Sequence, residues 1–339
     1  MTVSETVPDP RFDPGKARSF QRAASADGFF LVCAIDHLHD FAWLIDEDLT
    51  KVAFGAVVRA KDAIVRDAAP VCSAVLVDPL YGLGHLVPSG AVPRDVGLIT
   101  AIEDEGYTFP TGPRATRLRE GWSMRQAKAV GADIAKILWF YRPDAANAAA
   151  QRDLLARQIE DSARWSLPLV VEPIWYPLPG EDTATPAWRA RRCEGIVTSA
   201  ALVGAMGADM LKTEFPGTVT SDDARHRAAG ACAAIDAAIS IPWVVLSAGV
   251  GFDDFAVQVE IAGRAGASGY MAGRSIWREA VEAHLTGHPD AAHDLVTDRF
   301  TRLNAIVRRH ARPYVPGATL DECLATVPPR WYETWHPRS

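Results

Sequence analysis

Short apolar runs alternate along the chain with longer amphipathic stretches. The eight runs are FFLVCAID (29–36), AVLVDP (74–79), GLITAIE (97–103), IAKILWFY (134–141), PLVVEPIWY (168–176), ADMLKTEFP (208–216), PWVVLSAG (242–249) and SGYMAGRS (268–275). They are apolar nearly throughout rather than at every second position, which is typical of strands buried on both faces of a parallel sheet. The pattern therefore predicts eight buried strands.

Between most of these runs, apolar residues recur at steps of three and four, which indicates amphipathic helices. The predicted helices span 49–69, 116–132, 146–166, 186–206, 221–239 and 253–267. The connection after the second run is rich in glycine and proline and predicts no clear helix. Eight strands that alternate with helices predict an α/β protein with the fold of a (β/α)8 TIM barrel.

The chain has 339 residues, and no second composition regime divides it. We expect the barrel to occupy residues 29–285, since barrels of about 250 residues tolerate long insertions. Residues 1–28 are predicted to be a leader or a helix that closes the barrel floor. Residues 286–339 are predicted to be a helical extension that packs on the outside of the barrel.

Charge and composition exclude several classes of partner. The net charge is −7, and no block of lysine and arginine forms a basic patch, so we expect no nucleic-acid surface. No apolar run approaches the roughly 20 residues of a membrane span. The polar N-terminus lacks the pattern of a signal peptide, and the five cysteines are scattered, which favours a reduced, cytoplasmic protein.

Polar side chains lie at or just after the end of almost every predicted strand. These residues are Asp36, Asp78, Glu103, Lys136, Glu172, Lys212, Ser247 and Arg274. In a TIM barrel this end of the strands carries the active site. Asp78 and Glu103 can equally be ion pairs that fill the barrel mouth.

The strongest chemical signal is the set Lys136, Glu172 and Lys212, which comes from the fourth, fifth and sixth predicted strands. Neighbouring strands would point all three side chains into the barrel. Two lysines around one carboxylate in a pocket of low dielectric favour a neutral amine, through desolvation and like-charge repulsion. A neutral lysine is a nucleophile towards a ketone, so we predict this role for Lys212.

Glycine-rich turns follow the last two strands in SAGVG (247–251) and AGRS (272–275). Such turns expose backbone N–H groups, and Arg274 adds a fork of donors. Barrels often bind a phosphate at this place, which predicts a phosphate site there. A tight turn is the alternative explanation for the glycines.

Seven segments also carry a family resemblance: CAID (33–36), LVDPLYG (76–82), GADIAKILWFY (131–141), VVEPIWY (170–176), GADMLKTEFPG (207–217), LSAGV (246–250) and AGRSIW (272–277). With both lysines and the glutamate in register over roughly 29–285, the sequence resembles a divergent member of the class I tagatose-1,6-bisphosphate aldolase family, which includes sulfofructose-phosphate aldolases. The resemblance implies a (β/α)8 barrel and a Schiff-base aldolase of carbohydrate catabolism. Such an enzyme cleaves a ketose 1-phosphate, or a related sugar derivative, to dihydroxyacetone phosphate and an aldehyde, with no metal or other cofactor.

The same resemblance implies roles for individual residues. Lys212 matches the Schiff-base lysine and Lys136 the second active-site lysine. Glu172 matches the carboxylate that moves protons, and Asp36 the acid after the first strand. The residues predicted to bind substrate and its phosphate are Ser247, Gly249, Gly273, Arg274 and His37.

The chain departs from the family pattern after the first two strands. It reads AIDHLHD, so that His37 replaces a usual glutamine and Leu38 an arginine that would meet the far anionic group of the substrate. Leu80 stands where glutamate is common. A second anionic end of the substrate is therefore not implied, and His37, His39 or Arg142 are candidates to bind a different aldehyde. The partner is a small sugar phosphate, and a homo-oligomer is possible.

Two alternative functions stay open. His37 and His39 form an H-x-H pair after the first strand and, with Lys136, match part of the metal site of amidohydrolase-like hydrolases. The remaining positions of that pattern hold Glu172, Lys212 and Arg274, so the metal shell is incomplete. A non-catalytic sugar-phosphate-binding barrel is the second alternative, since fold does not fix function.

Overall fold

A computed structural model describes residues 13–104, 113–314 and 318–333. Eight parallel strands pair in chain order, and the last pairs with the first to close a barrel. The strands are Phe30–Ala34 (β1), Ala74–Val77 (β2), Gly97–Ala101 (β3), Ile134–Phe140 (β4), Leu169–Ile174 (β5), Met210–Thr213 (β6), Trp243–Leu246 (β7) and Gly269–Ala272 (β8). The predicted (β/α)8 barrel is confirmed, with each strand inside its predicted run.

Helices cover the outside of this barrel. The principal helices are Pro14–Ala23 (α1), Phe54–Ala68 (α2), Met124–Ala129 (α3), Ala148–Trp165 (α4), Pro186–Ala205 (α5), Asp222–Ala238 (α6), Phe252–Ala265 (α7), Arg274–Leu285 (α8), Pro289–His310 (α9) and Leu320–Thr326 (α10). Short helical turns span His39–Ala42, Leu49–Lys51, Pro79–Leu83, Gly84–Leu86 and Trp331–Glu333. No helix of the described ranges is both long and apolar enough to cross a bilayer.

One predicted helix is partly wrong. The pattern predicts a helix over 116–132, but α3 begins only at Met124, and Arg117–Leu118 pairs instead with Glu103–Asp104 as a short antiparallel hairpin. The hydroxyl of Thr116 donates to the backbone carbonyl of Leu138 at 2.9 Å, which holds this segment extended beside β4. This hydrogen bond between Thr116 and β4 therefore takes precedence over the local helical pattern.

The lower half of the barrel interior is apolar. The inner core consists of Phe20, Ala23, Phe30, Val32, Ala34, Ala74, Leu76, Ile99, Ile134, Val170, Met210, Val244 and Met271. Phe20 and Ala23 come from α1, which begins where Asp13 accepts hydrogen bonds from the backbone N–H groups of Gly15 and Lys16. Helix α1 therefore closes the floor, at the N-terminal ends of the strands.

The C-terminal part of the chain packs on the outer helices. Helix α9 buries Val296, Phe300 and Leu303, and the Tyr270 hydroxyl of β8 donates to Asn304 at 2.7 Å. Helix α10 buries none of its residues. Parts of the predicted leader (1–12) and of the predicted extension (315–317 and 334–339) lie outside the described residues. The division of the chain at 28 and at 286 stays a prediction.

Candidate active site

Several strands lead in steps of two residues from the inner core to a polar side chain at the mouth. Side chains of a strand point alternately to its two faces, so residues two apart share a face. The steps run from Ala34 to Asp36, Ile134 to Lys136, Val170 to Glu172 and Met210 to Lys212. The polar residues therefore point into the barrel because their apolar predecessors do.

Lys136 lies at the centre of these polar residues. Its Nζ is 2.8 Å from Asp36 Oδ2, 2.6 Å from Glu103 Oε1 and 2.9 Å from Glu172 Oε2. Lys212 Nζ donates to the same Glu172 Oε2 at 2.9 Å. These five residues form the lysine–carboxylate cluster.

The cluster forms one wall of a cavity at the mouth. The lining residues are Asp36, His37, Leu38, Asp78, Pro79, Ala101, Glu103, Arg119, Lys136, Leu138, Glu172 and Lys212. The cavity has about 450 Å³ free of atoms, part of it open to solvent. The Lys212 side chain is only 5% exposed but borders this space, so a small molecule in the cavity would meet its amine.

Burial and charge move the pKa values of the three carboxyl groups in different directions. Burial alone would raise the pKa of Asp36 and of Glu172, but the charges of Lys136 and Lys212 outweigh it and hold both below their usual range. For Glu103, burial outweighs the opposing charge of Lys136 and raises the pKa. Asp36 and Glu172 are therefore ionised at neutral pH and able to accept a proton.

The sequence predicts two lysines around one carboxylate, whereas the structure gathers three carboxylates around them. Glu103 joins the cluster from just beyond β3, as the ion-pair interpretation of this residue predicts. From the sequence, we expect repulsion between the two lysines to favour a neutral amine on Lys212. The excess of negative charge in the cluster works against that effect. It would instead stabilise a cation formed on Lys212.

The turns after β7 and β8 bring together the predicted phosphate residues. Gly249 has φ +74°, and a Cβ added there would lie 3.3 Å from Nε of Arg274. That Nε is buried without a hydrogen-bond partner in the described residues, while Nη1 of Arg274 donates to Asp40 at 2.7 Å. Ser247 is buried at the start of this turn. The arrangement leaves a cationic donor facing the glycine turn.

His37 lies between this turn and the cluster. Its ring packs edge-on against Trp277, and a Cβ on Gly273 would lie 2.8 Å from His37 Cε1. Burial lowers the pKa of His37 to about 4, against the opposing effect of Asp36. The ring is therefore neutral at pH 7. Gly273 makes room for it.

Comparisons with known proteins decide the family. A family model described as DeoC/LacD family aldolase matches residues 39–279, more than half of the chain. The chain belongs to this aldolase family. The aldolase is accordingly a lyase, and the predicted resemblance to class I tagatose-1,6-bisphosphate aldolases is confirmed.

Two relatives of the aldolase come from Streptococcus pyogenes serotype M3. Tagatose 1,6-diphosphate aldolase 2 of strain ATCC BAA-595 / MGAS315 is 25% identical over 320 residues, which are 88% of this chain and 96% of that protein. Tagatose 1,6-diphosphate aldolase 1 of strain SSI-1 is 27% identical over 273 residues, or 75% of this chain and 83% of that protein.

Among solved structures, the aldolase resembles an archaeal fructose-1,6-bisphosphate aldolase whose catalytic lysine is covalently bound to the carbinolamine intermediate of its substrate. The TM-score is 0.55 at 18% identity, over 83% of this chain and 99% of that chain. At this identity, the likeness shows the shared fold.

Arg142 does not line the cavity of the aldolase. Its guanidinium donates to Asp144 and Glu181 and stacks on Trp175, with 3.7 Å from Cζ to the ring centroid. Burial alone would lower the pKa of Arg142, but the hydrogen bonds and charges of the two carboxylates outweigh it and raise the pKa, so the guanidinium stays charged. The structure thus uses Arg142 to anchor the segment after β5.

Asp78 has a structural role at the mouth. It pairs with Lys61, which also donates to the backbone carbonyls of Ile35 and His37 at 2.8 and 2.7 Å. Its other oxygen accepts from the backbone N–H of Tyr81 and begins the helical turn after β2. The ion-pair alternative for Asp78 therefore describes the structure.

Two arginines of the aldolase lie at the site without having been predicted from the sequence. Arg278 Nη2 would lie 3.5 Å from a Cβ on Gly249, so it shares this turn with Arg274. The two residues are four apart, which places them on one face of α8. This spacing could have identified Arg278 from the sequence once Arg274 was predicted. Arg119 lines the cavity from the segment with the helical pattern, and the wrong helix prediction concealed it.

The hydrolase alternative is not favoured for this aldolase. In the parts of the chain that the structure describes, no three His, Cys, Asp or Glu side chains are placed to hold a metal ion. His39 lies exposed on the helical turn His39–Ala42 and does not line the cavity that Lys136 borders. The H-x-H pair after β1 is therefore not extended into a metal-ligand set by the described residues.

Proposed function

We propose that this protein is a class I aldolase that forms a Schiff base on Lys212. Its substrate is a ketose 1-phosphate, which it cleaves to dihydroxyacetone phosphate and an aldehyde. The observation that carries the proposal is the position of Lys212: its amine borders the cavity and is hydrogen-bonded to one ionised carboxylate, Glu172, at 2.9 Å. The names of the streptococcal relatives and the covalent lysine intermediate of the archaeal structure support it.

The first step is attack of Lys212 on the ketone carbon C2. Glu172 takes a proton from the ammonium of Lys212, and the freed amine adds to C2 to form a carbinolamine. Glu172 returns its proton to the C2 hydroxyl, which leaves as water and gives an iminium cation on Nζ. The excess of carboxylate charge in the cluster stabilises this cation in a buried place.

The second step breaks the bond between C3 and C4. Glu172 or Asp36 takes the proton of the C4 hydroxyl, the aldehyde leaves, and the bonding electrons move into the iminium to give an enamine. The same carboxyl group returns a proton to C3, and water then releases dihydroxyacetone phosphate from Lys212. Each proton transfer of this kind typically contributes about 10²- to 10⁴-fold to the rate.

Lys136 positions the groups that move protons. It contacts both Asp36 and Glu172, so that the two carboxylates stay within reach of the carbon atoms attached to Lys212. The turn at Ser247 and Gly249, with Arg274 and Arg278, would hold the phosphate on C1. Binding energy at this remote phosphate then fixes the reacting carbons near Lys212.

The test is reductive trapping. Protein is incubated with dihydroxyacetone phosphate and borohydride, and the adduct is located by peptide mass spectrometry. We expect one stable adduct, on Lys212, and none in a Lys212→Met variant. Lys61→Met is the matched control, since Lys61 is equally buried but does not line the cavity. Folded protein that binds the ligand and yields no lysine adduct would contradict the proposal.

A further inference from the structure

We propose that Arg119 binds an anionic group at the far end of the aldehyde half of the substrate. The inference rests on the proposed function, because it takes the phosphate of C1 to lie at the β7–β8 turns. Leu38 replaces the arginine that would meet this anionic group in the family pattern, and we assign that role to Arg119 instead.

Arg119 lies on the side of the mouth opposite to the proposed phosphate turn. It follows the hairpin strand Arg117–Leu118, which pairs with the continuation of β3, and in a closed barrel of eight strands β3 stands across from β7. A ketose attached to Lys212 of β6, with its phosphate at β7 and β8, directs its other end towards β3. The cavity extends in this direction, and Arg119 lines it together with Leu38 and Leu138.

The guanidinium of Arg119 has a donor to spare. Its Nε is buried and has no hydrogen-bond partner among the described residues. Its Nη2 pairs with Asp104 at 3.0 Å, but the Asp104 side chain is 50% exposed and this pair is weak in solvent. A buried donor without an acceptor is costly, and an anionic ligand in the cavity would satisfy it.

Apart from the arginines of the proposed phosphate turn, the other basic side chains at the mouth have acceptors of their own or are neutral. Lys136 is surrounded by three carboxylates, and Lys61 by Asp78 and two backbone carbonyls. His37 is neutral, since burial lowers its pKa to about 4. Arg119 is the one arginine among the described residues that line the cavity. Its planar fork also suits a carboxylate, sulfonate or phosphate group better than an ammonium does.

The experiment measures aldol addition of dihydroxyacetone phosphate to a series of aldehydes. Glyceraldehyde is the neutral acceptor, and succinate semialdehyde, 3-sulfolactaldehyde and glyceraldehyde 3-phosphate present a carboxylate, a sulfonate and a phosphate. We expect kcat/KM of the wild type to be higher for at least one anionic aldehyde than for glyceraldehyde. Arg119→Met should lower that value about 10- to 100-fold and leave glyceraldehyde within about threefold.

Arg117→Met is the matched control, because Arg117 lies two residues earlier, on the hairpin strand that Arg119 follows, and is exposed. Arg119→Lys keeps a charge without the planar fork and should recover part of the loss. Equal losses for neutral and anionic aldehydes in Arg119→Met, or a wild type that prefers glyceraldehyde, would overturn the assignment.

Reductive trapping separates this inference from the proposed function. Arg119→Met should still form the borohydride adduct with dihydroxyacetone phosphate on Lys212, since that half of the substrate does not reach Arg119. An intact adduct with unchanged aldehyde preference would overturn the role of Arg119 alone. Absence of the adduct in the wild type would instead contradict the Schiff-base mechanism.

Discussion

The two ends of β6 show two different uses of a buried lysine. At the floor, Lys16 of α1 donates to both oxygens of Asp209, which precedes β6 and also accepts from Ser162 and from the backbone N–H of Leu169. At the mouth, Lys212 donates to one oxygen of Glu172 and borders a cavity. Lys16 is 6% exposed and Lys212 is 4% exposed, so burial does not distinguish them.

The two lysines differ in whether their surroundings leave open space and free hydrogen-bonding groups for a ligand. Both oxygens of the carboxylate at the floor accept from fixed donors, and Lys16 does not line the cavity. The same holds for Lys61, which is completely buried and has three oxygen acceptors. A buried lysine therefore indicates chemistry when it combines a single carboxylate partner with open space, and structure when its acceptors are complete.

The largest expected effect concerns the mouth. Lys212→Met should lower kcat at least about 10⁴-fold, because it removes the amine proposed to carry the covalent intermediate. The free energy of unfolding should change by less than about 2 kcal/mol, since Glu172 keeps its contact with Lys136. Steady-state cleavage assays and urea unfolding measure the two effects. Substantial turnover by a Lys212→Met preparation that contains no wild-type enzyme would contradict a nucleophilic Lys212.

The next effect concerns the floor. Lys16→Met should lower the free energy of unfolding by about 3–5 kcal/mol, because it leaves the buried Asp209 without its cation. The kcat of the folded fraction should stay within about threefold of the wild type. Lys51→Met, at an exposed lysine, is the control and should change stability by less than about 0.5 kcal/mol. An activity loss in Lys16→Met without a loss of stability would remove the contrast between the two ends.

A smaller effect is expected on acidification, where the free energy of unfolding should depend on His37 at the mouth. The unfolded chain binds a proton at this residue near pH 6.5, whereas burial delays protonation of the folded protein to about pH 4. Between these values the unfolded state holds more protons, so the free energy of unfolding falls as the pH is lowered, by up to about 3 kcal/mol. Asp36 and Glu172 have lowered pKa values, so they reduce stability only at more acidic pH.

Urea unfolding of the wild type and of His37→Gln at pH 7 and pH 4.5 measures this effect. The variant should lose less stability than the wild type over that interval, because it has no imidazole to protonate. Equal losses in the two proteins would show that His37 is not the group whose protonation opposes folding in this range.

Much of the fold and of the site follows from the sequence. Continuous apolar runs identify the eight strands, since parallel strands in a barrel are buried on both faces. The period of two within each run then places Asp36, Lys136, Glu172 and Lys212 on the inner face. Both inferences rest on local pattern, and neither requires knowledge of distant contacts.

The features that could not be predicted depend on contacts between distant segments. Arg119 lies in a segment with helical periodicity, but the bond from Thr116 to Leu138 holds that segment extended. The ion pairs of Arg142 depend on Glu181, which lies 39 residues away. The balance of charge around Lys136 could not be known either, because Glu103 fits an ion pair and a reacting group equally well until its neighbours are placed.

The position of Lys136 bears on how this enzyme could diverge. It ties together side chains on or just after β1, β3 and β5, so the groups proposed to move protons are fixed relative to the barrel wall and not to the loops above it. Loops that carry residues such as Leu38 or Arg119 are then free to change without disturbing bond cleavage. We therefore expect new aldehyde specificities to arise from substitutions in these loops, which are suitable positions for a mutant library.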